Sequence, residues 1–133
     1  MMLLILGIIL FICLVLVHEW GHFIVARRNG VEVEEFGLFF PPRAKVITKR
    51  NGTEYTLNWL PLGGFVKLKG ENDADRRPGT FGAASTWVKT KIMLAGVAMN
   101  LVAAFVILTI LAWIGMPQLV ENQFTVASDT TVT

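Results

Sequence analysis

The chain has 133 residues, of which 53% are hydrophobic and only 17% are charged. Ordinary soluble domains contain fewer apolar residues and about a quarter charged residues, so the composition argues against a soluble globular protein and for membrane segments. The formal net charge of +2 is small, and the distribution of the charges is more informative than their sum.

The first predicted element is a long apolar helix. Residues 3–26 are almost entirely apolar, and the run stops at Arg27-Arg28. A helix of this length measures about 36 Å at 1.5 Å per residue, which is enough to cross a bilayer with some tilt. A cleaved signal peptide is a weaker interpretation, because no basic segment precedes the run and no A-x-A-like cleavage site follows it. Asn29-Gly30 is typical of a helix end.

Residues 31–70 are predicted to form a β-region. Apolar and acidic residues alternate in V-E-V-E-E-F, which favours a half-exposed strand. Asn51-Gly52 lies between A-K-V-I-T-K-R and T-E-Y-T-L-N-W and predicts a hairpin with a two-residue turn. The stretch L-P-L-G-G-F-V-K-L-K-G-E favours a further strand, in which Gly63-Gly64 permits a sharp bend or a close backbone contact.

A second apolar helix is predicted over residues 92–114, which contain no charged residue. All 12 Lys and Arg residues of the chain lie between Arg27 and Lys91. Because basic loops stay in the cytoplasm, we expect the N-terminus outside, residues 27–91 in the cytoplasm and a second helix that runs back out. The predicted fold is thus an α-helical membrane protein, with two transmembrane helices joined by a cytoplasmic loop that carries a membrane-associated β-hairpin.

A basic nucleic-acid-binding domain in the middle of the chain is the alternative explanation for the charge distribution. We expect no nucleic-acid partner, because no aromatic–basic motif of such domains accompanies the Lys and Arg residues. The expected partner of both helices is the lipid bilayer.

The first helix carries the motif H-E-x-x-H, formed by His18, Glu19 and His22, which includes both histidines of the chain. Residues i and i+4 share a helix face, so both imidazoles can bind one ion, and Zn²⁺ is the metal that this motif favours. Glu19 lies about 100° around the helix from His18. It is the candidate general base, able to take a proton from a metal-activated water.

Chance polar residues at a membrane interface are the alternative reading of this motif. Ionisable groups inside a membrane helix are costly, and where they occur they usually have a function. The same argument disfavours a soluble zinc protease with a signal anchor, because the motif lies within the apolar segment itself. We therefore predict a metal site inside the membrane.

Small and polar residues recur on one face of the second helix. Gly96, Asn100 and Ala104 are each four residues apart. Small residues at this spacing allow two helices to approach closely, and an amide can hydrogen-bond across such an interface. This packing role for Asn100 is at least as well founded as a catalytic one.

The combination of these motifs resembles the site-2 protease family of intramembrane zinc metalloproteases, in particular the regulator-of-sigma-E type. The resemblance rests on the H-E-x-x-H, on P-L-G-G-F-V-K-L-K-G-E and on F-G-A-A-S-T-W-V-K-T-K-I-M-L-A-G-V-A-M-N, and it extends from about Leu4 to Trp113. It implies that His18 and His22 bind zinc and that Glu19 is the catalytic base.

The resemblance also implies a membrane-associated β-loop near the path of the substrate. A plain structural hairpin is the alternative for this segment. The predicted substrate-binding residues are Gly63, Gly64, Phe65, Val66 and Asn100. By the same resemblance, the location would be the bacterial cytoplasmic membrane, and the substrates would be single-spanning membrane proteins such as an anti-sigma factor or remnant signal peptides.

The chain departs from the family pattern at two places. The family has A-G-P-x-x-N where this chain has Val97 in place of the proline. The family takes a third zinc ligand from an aspartate in an L-D-G motif of a later helix, and this motif does not occur here. Asp73, Asp75 and Asp129 lie in polar segments and are poor substitutes.

These departures predict that residues 1–115 are the N-terminal half of a protease core. Residues 116–133 would begin an extracytoplasmic region that leads to a PDZ domain. The alternative is a non-catalytic membrane module that binds helices, or a pseudoprotease.

Overall fold

A computed structural model describes residues 1–72 and 75–115 of the chain. Its elements are, in chain order, α1 (Met2–Arg28), β1 (Val33–Arg50), β2 (Thr53–Leu68) and α2 (Thr86–Ile114). The predicted order of helix, β-region and helix is confirmed. The predicted extracytoplasmic region over residues 116–133 lies outside the described residues.

Helix α1 extends to Arg28, slightly beyond the predicted end at residue 26. Asn29 ends the helix, since its backbone N–H and its side-chain amide both donate hydrogen bonds to the carbonyl of Val25. Gly30 follows with φ 77°, a left-handed conformation that glycine adopts without strain. The Asn-Gly pair therefore ends the helix as its sequence predicts.

Helix α2 begins at Thr86 rather than at residue 92. The Ser85 side chain caps it by accepting a hydrogen bond from the Val88 backbone N–H. The predicted helix included only the uncharged residues after Lys91. It therefore missed the first turns of α2, which contain Lys89 and Lys91, and the cap before them. Serine is a favoured N-cap residue because its oxygen satisfies a free N–H of the first turn.

The β-region forms one antiparallel sheet of two long strands. The predicted hairpin is confirmed at Asn51-Gly52, where both residues have positive φ. The separately predicted third strand is instead the second half of β2. The register places Phe36 opposite both Val66 and Tyr55, so the first part of β1 lies between two segments of the curled β2.

The buried core is small and lies where the ends of the four elements meet. Its residues are Ala26 from α1, Val31 before β1, Val33 from β1, Leu68 from β2 and Ile92 from α2. Most apolar side chains farther along the two helices are exposed. Both helices are long and apolar enough to cross a membrane.

The two helices run antiparallel and touch closely at Gly21. A Cβ atom at this position would lie 2.6 Å from the carbonyl oxygen of Ala95 and 2.7 Å from Cγ of Met99. Only glycine leaves room for this approach, and the approach brings the middle of α2 against the H-E-x-x-H turn of α1.

We expect Gly21→Ala to destabilise the full-length protein by about 1–3 kcal/mol, because the added methyl overpacks the contact with Ala95. The matched control is Gly7→Ala on the same helix, where a Cβ atom meets nothing within 4 Å. The control should be neutral or slightly stabilising, since alanine favours helix. The measurement is unfolding by detergent titration, and equal stabilities of the two variants would contradict the close helix contact.

Candidate active site

The two histidines of the motif lie together on the face of α1 that meets α2. Their ring centroids are 4.7 Å apart. A Cβ atom at Gly96 would lie 2.6 Å from Nε2 of His22 and closer still to Nε2 of His18. Both Nε2 atoms thus converge on one small region, which α2 leaves free because it carries no side chain there.

A backbone carbonyl of α2 orients His22. Its Nδ1 lies 2.7 Å from the carbonyl oxygen of Ile92. A carbonyl can only accept, so Nδ1 carries the proton and Nε2 keeps its lone pair. Histidines that bind metals usually donate their other ring N–H in this way. The two imidazole nitrogens therefore fit the Zn²⁺ ion that the motif predicts.

An amide of α2 lies against His18. The amide nitrogen of Asn100 is placed 3.2 Å from Nδ1 of His18. The other amide atom, Oδ1, is buried and has no hydrogen-bond partner within the described residues. The predicted hydrogen bond across the helix interface is thus present. The predicted contact of Asn100 with substrate stays a prediction.

Glu19 faces a cavity of about 400 Å³ that it shares with His22. The remaining lining residues are Val66, Leu68, Glu71, Phe81, Ile92 and Met93. The backbone N–H of Val66 donates a hydrogen bond to the Glu19 carboxylate. Glu19, the candidate base, is therefore next to His22, a candidate metal ligand, in a space that can admit water or a peptide group.

The predicted β-loop lies on α1 directly beside the motif. A Cβ atom at Gly64 would be 3.0 Å from Cδ2 of Leu16 and 3.8 Å from Cγ of Glu19. Gly63 has φ 142°, and a Cβ atom there would be 3.1 Å from Cγ1 of Val15. The two glycines let the backbone of β2 lie on the helix, which confirms the close contact predicted for them.

Phe65, the third residue of the predicted substrate-binding set in the β-loop, has a different environment. The ring of Phe65 lies over Gly37 of β1, where an added Cβ atom would be 2.8 Å from its Cδ1. Gly63, Gly64 and Val66 are therefore the members of the set that the fold brings to α1. Their contact with substrate stays a prediction.

Within residues 1–72 and 75–115, no group of three or more His, Cys, Asp or Glu residues is placed to hold a metal ion. Asp75 forms an ion pair of 2.6 Å with Arg77. The hydrogen bonds from the Arg77 side chain lower the pKa of Asp75 to about 2, so this carboxylate is ionised and bound to a guanidinium. Asp73 and Asp129 lie outside the described residues.

Sequence reasoning missed three parts of the site. The carbonyl of Ile92 and the N–H of Val66 are backbone groups, which every such residue has, so no sequence signal marks them. Gly96 was identified only as a small packing residue. The four-residue interval from Gly96 to Asn100 was the available signal that this face of α2 meets the histidines.

Comparison with known protein families identifies the family of this chain. Residues 6–133 match the family model described as peptidase family M50. The chain belongs to peptidase family M50. This confirms the predicted family, because M50 is the family of site-2 proteases.

Curated relatives from several bacteria support the M50 assignment. A protein of Vibrio cholerae serotype O1, named "Putative zinc metalloprotease", is 42% identical over 111 residues. A protein of Clostridium perfringens with the same description is 42% identical over 106 residues. The zinc metalloprotease Rip1 of Mycobacterium bovis is 36% identical over 123 residues. The match covers 78% of this chain for the Vibrio protein, 80% for the Clostridium protein and 85% for the Mycobacterium protein.

The same matches cover only 24%, 31% and 30% of the relatives. The chain therefore spans about a third or less of the length of these M50 proteins. The names of the three relatives include zinc, which is the metal that the H-E-x-x-H spacing predicts.

We expect Gly96→Ala in the full-length protein to lower zinc affinity by at least about tenfold, the smaller of the losses typical when the surroundings of a metal site are disturbed. The added methyl would occupy the region on which both Nε2 atoms converge. Val97→Ala is the matched control, because the Val97 side chain is 53% exposed. Competition with a chelator measures the affinity. Equal affinities in the two variants would contradict this location of the metal.

Proposed function

We propose that this chain is the metal-binding part of a zinc-dependent endopeptidase that cuts single-spanning membrane proteins within the bilayer. The observation that carries the proposal is the convergence of the two Nε2 atoms beside Gly96. The hydrogen bond from His22 to the Ile92 carbonyl leaves Nε2 of that ring free to bind metal. Membership of family M50 supports the protease activity.

His18 and His22 would hold the ion through Nε2, and the chemistry of Glu19 follows from its position. Zinc, when bound, polarises a carbonyl and makes water a better nucleophile at neutral pH. Glu19 lines the same cavity as His22, so its carboxylate can take the proton from the attacking water. It can then give that proton to the departing amine as the peptide bond breaks.

The Val66 N–H has a positioning role in this proposal. Its hydrogen bond to the carboxylate holds Glu19 towards the cavity. Residues 64–68 of β2 pair with β1 along one edge, and the N–H of Val66 is directed at α1. A substrate segment that added as a strand along β2 would therefore lie next to the general base.

A third protein ligand is required, because catalytic zinc sites usually have three protein ligands and one open position. His18 and His22 are two candidates, and the described residues contain no group of three or more His, Cys, Asp or Glu that could hold a metal ion. We infer that the third comes from another part of the full-length protein, and the resemblance to site-2 proteases implies an intramembrane aspartate. Relatives of more than three times the matched length leave ample chain for it.

The surfaces of the two helices support a location in the membrane. Apolar side chains cover both helices and are exposed, and an apolar surface of this size is unfavourable in water. Trp87 and Trp113 are 70% and 87% exposed near the two ends of α2, and tryptophan is enriched at both membrane interfaces. Roughly 39 Å separates them along the helix, close to the bilayer thickness that includes the headgroups.

The orientation follows from the basic residues. Arg27 and Arg28 form the last turn of α1, and Lys89 and Lys91 lie in the first turns of α2. From this distribution we infer that residues 27–91 lie on the cytoplasmic side of a bacterial inner membrane and that the N-terminus lies outside. His22 would then lie about 9 Å from the end of α1 at Arg28, so cleavage would occur near the cytoplasmic side. Anti-sigma factors and remnant signal peptides are the substrate classes that the resemblance suggests.

A non-catalytic helix-binding module or pseudoprotease is the second candidate. The observation that favours it is the two-ligand set within the described residues. An aspartate next to a glycine in a later apolar segment of the full-length protein would favour the protease. The absence of such a residue there would favour the binding module.

We expect Glu19→Gln in the full-length protein to keep its zinc and to cleave a model membrane substrate about 10²–10⁴ times more slowly, because general acid–base catalysis contributes that much. Glu34→Gln is the control, since Glu34 forms only a surface ion pair of 3.1 Å with Lys67. Zinc content and cleavage rate are measured on the same samples. Undiminished cleavage by Glu19→Gln would remove this residue from the mechanism.

Cysteine labelling tests the proposed orientation. The starting variant is Cys13→Ser, which removes the one cysteine of the 133-residue sequence, with any further cysteine of the full-length protein also replaced by serine. Met2→Cys or Arg50→Cys is then added. An impermeant thiol reagent on intact cells should label the first position and not the second, and both should react after permeabilisation. Labelling of Arg50→Cys in intact cells would contradict a cytoplasmic loop.

A further inference from the structure

The Asn100 amide is placed to choose which nitrogen of His18 binds metal. One atom of that amide lies 3.2 Å from Nδ1 of His18, and the other is buried with no partner in the described part of the chain. Nitrogen and oxygen of an amide are assigned from the hydrogen-bond network rather than from their positions. In either orientation of the Asn100 amide, one of its two polar atoms has no partner. The position of the proton on the His18 ring therefore determines which orientation is correct.

A neutral imidazole has one N–H and one lone pair. Nε2 of His18 points at the region beside Gly96, where a ligand atom must present its lone pair. The proton is then on Nδ1, which needs an acceptor. The NH₂ group of an amide cannot accept, whereas its oxygen can. The atom next to Nδ1 must therefore be Oδ1 of Asn100.

We propose that Asn100 is a positioning residue that accepts the Nδ1–H of His18 through Oδ1 and so keeps Nε2 free for the metal; this rests on the proposed zinc site. The carbonyl of Ile92 performs the same task for His22 at 2.7 Å. The two acceptors lie about two turns apart on α2. Helix α1 thus supplies the ligands, and α2 fixes the protonation of both rings.

The buried position of the amide explains why a polar residue is kept here. Apart from His18 and Asn100, the neighbouring cavity of about 360 Å³ is lined by Phe11, Leu14 and Val15. A polar side chain in such apolar surroundings is costly unless it is hydrogen-bonded. The hydrogen bond to His18 offsets this cost. A purely packing role for Asn100 would not provide such a bond.

The test compares zinc affinity in the full-length protein for Asn100→Leu, Asn100→Asp and Thr109→Val, by competition with a chelator. Asn100→Leu keeps the approximate size and removes the acceptor, so affinity should fall about 10–100-fold, as expected for loss of a histidine's hydrogen-bond partner. Asn100→Asp keeps an acceptor and should stay near the wild-type affinity. Thr109→Val removes a hydrogen bond to the Phe105 carbonyl on the same helix and should change nothing.

Nitrogen-15 spectra of the histidine side chains give a second readout. In the zinc-loaded wild type and in Asn100→Asp, we expect the proton of His18 on Nδ1. Wild-type affinity in Asn100→Leu would overturn the inference and leave the proposed protease intact, as would equal losses in Asn100→Leu and Asn100→Asp. A wild-type protein that binds no zinc would overturn both.

Discussion

The close approach of α2 to α1 is the constraint on which the site depends. Gly21 on α1 meets the Ala95 carbonyl, and Gly96 on α2 meets the two imidazoles. A side chain at either position would separate the helices by the thickness of a methyl group or more. The carbonyl of Ile92 and the amide of Asn100 would then no longer reach the histidine rings.

Three ionisable side chains of the site, His18, Glu19 and His22, each have a hydrogen-bond partner from another element. His22 is bound to a carbonyl of α2, and Glu19 to an N–H of β2. A polar group in an apolar environment is costly unless it is hydrogen-bonded, and this cost is greatest inside a membrane. In the proposed mechanism, the same contacts that satisfy these groups also orient them for metal binding and proton transfer.

The β-sheet joins the site to the small core of the molecule. Leu68 at the end of β2 packs with Ile92 and Ala26, directly beyond the cavity that holds Glu19 and His22. The Gly63-Gly64 bend lies on α1 at the other side of Glu19. The helices are therefore held together near the motif, while their distant apolar surfaces are exposed.

The sequence by itself determined the local features. The four-residue interval of the two histidines, the two apolar segments, the Asn51-Gly52 turn and the Asn29-Gly30 helix end each depend on a few neighbouring residues, and their patterns can be read directly. The two candidate zinc ligands and the candidate base were predicted in this way, and so was the family, which the match to peptidase family M50 confirms.

Only the tertiary structure decided how distant segments meet. The joining of two predicted strands into β2, the start of α2 at Ser85-Thr86, and the partners of His18, Glu19 and His22 were not predictable from local patterns. Two of those partners are backbone groups 47 and 70 residues away from the side chains they bind. Every residue has such groups, so their roles are set by packing and carry no signature in the sequence.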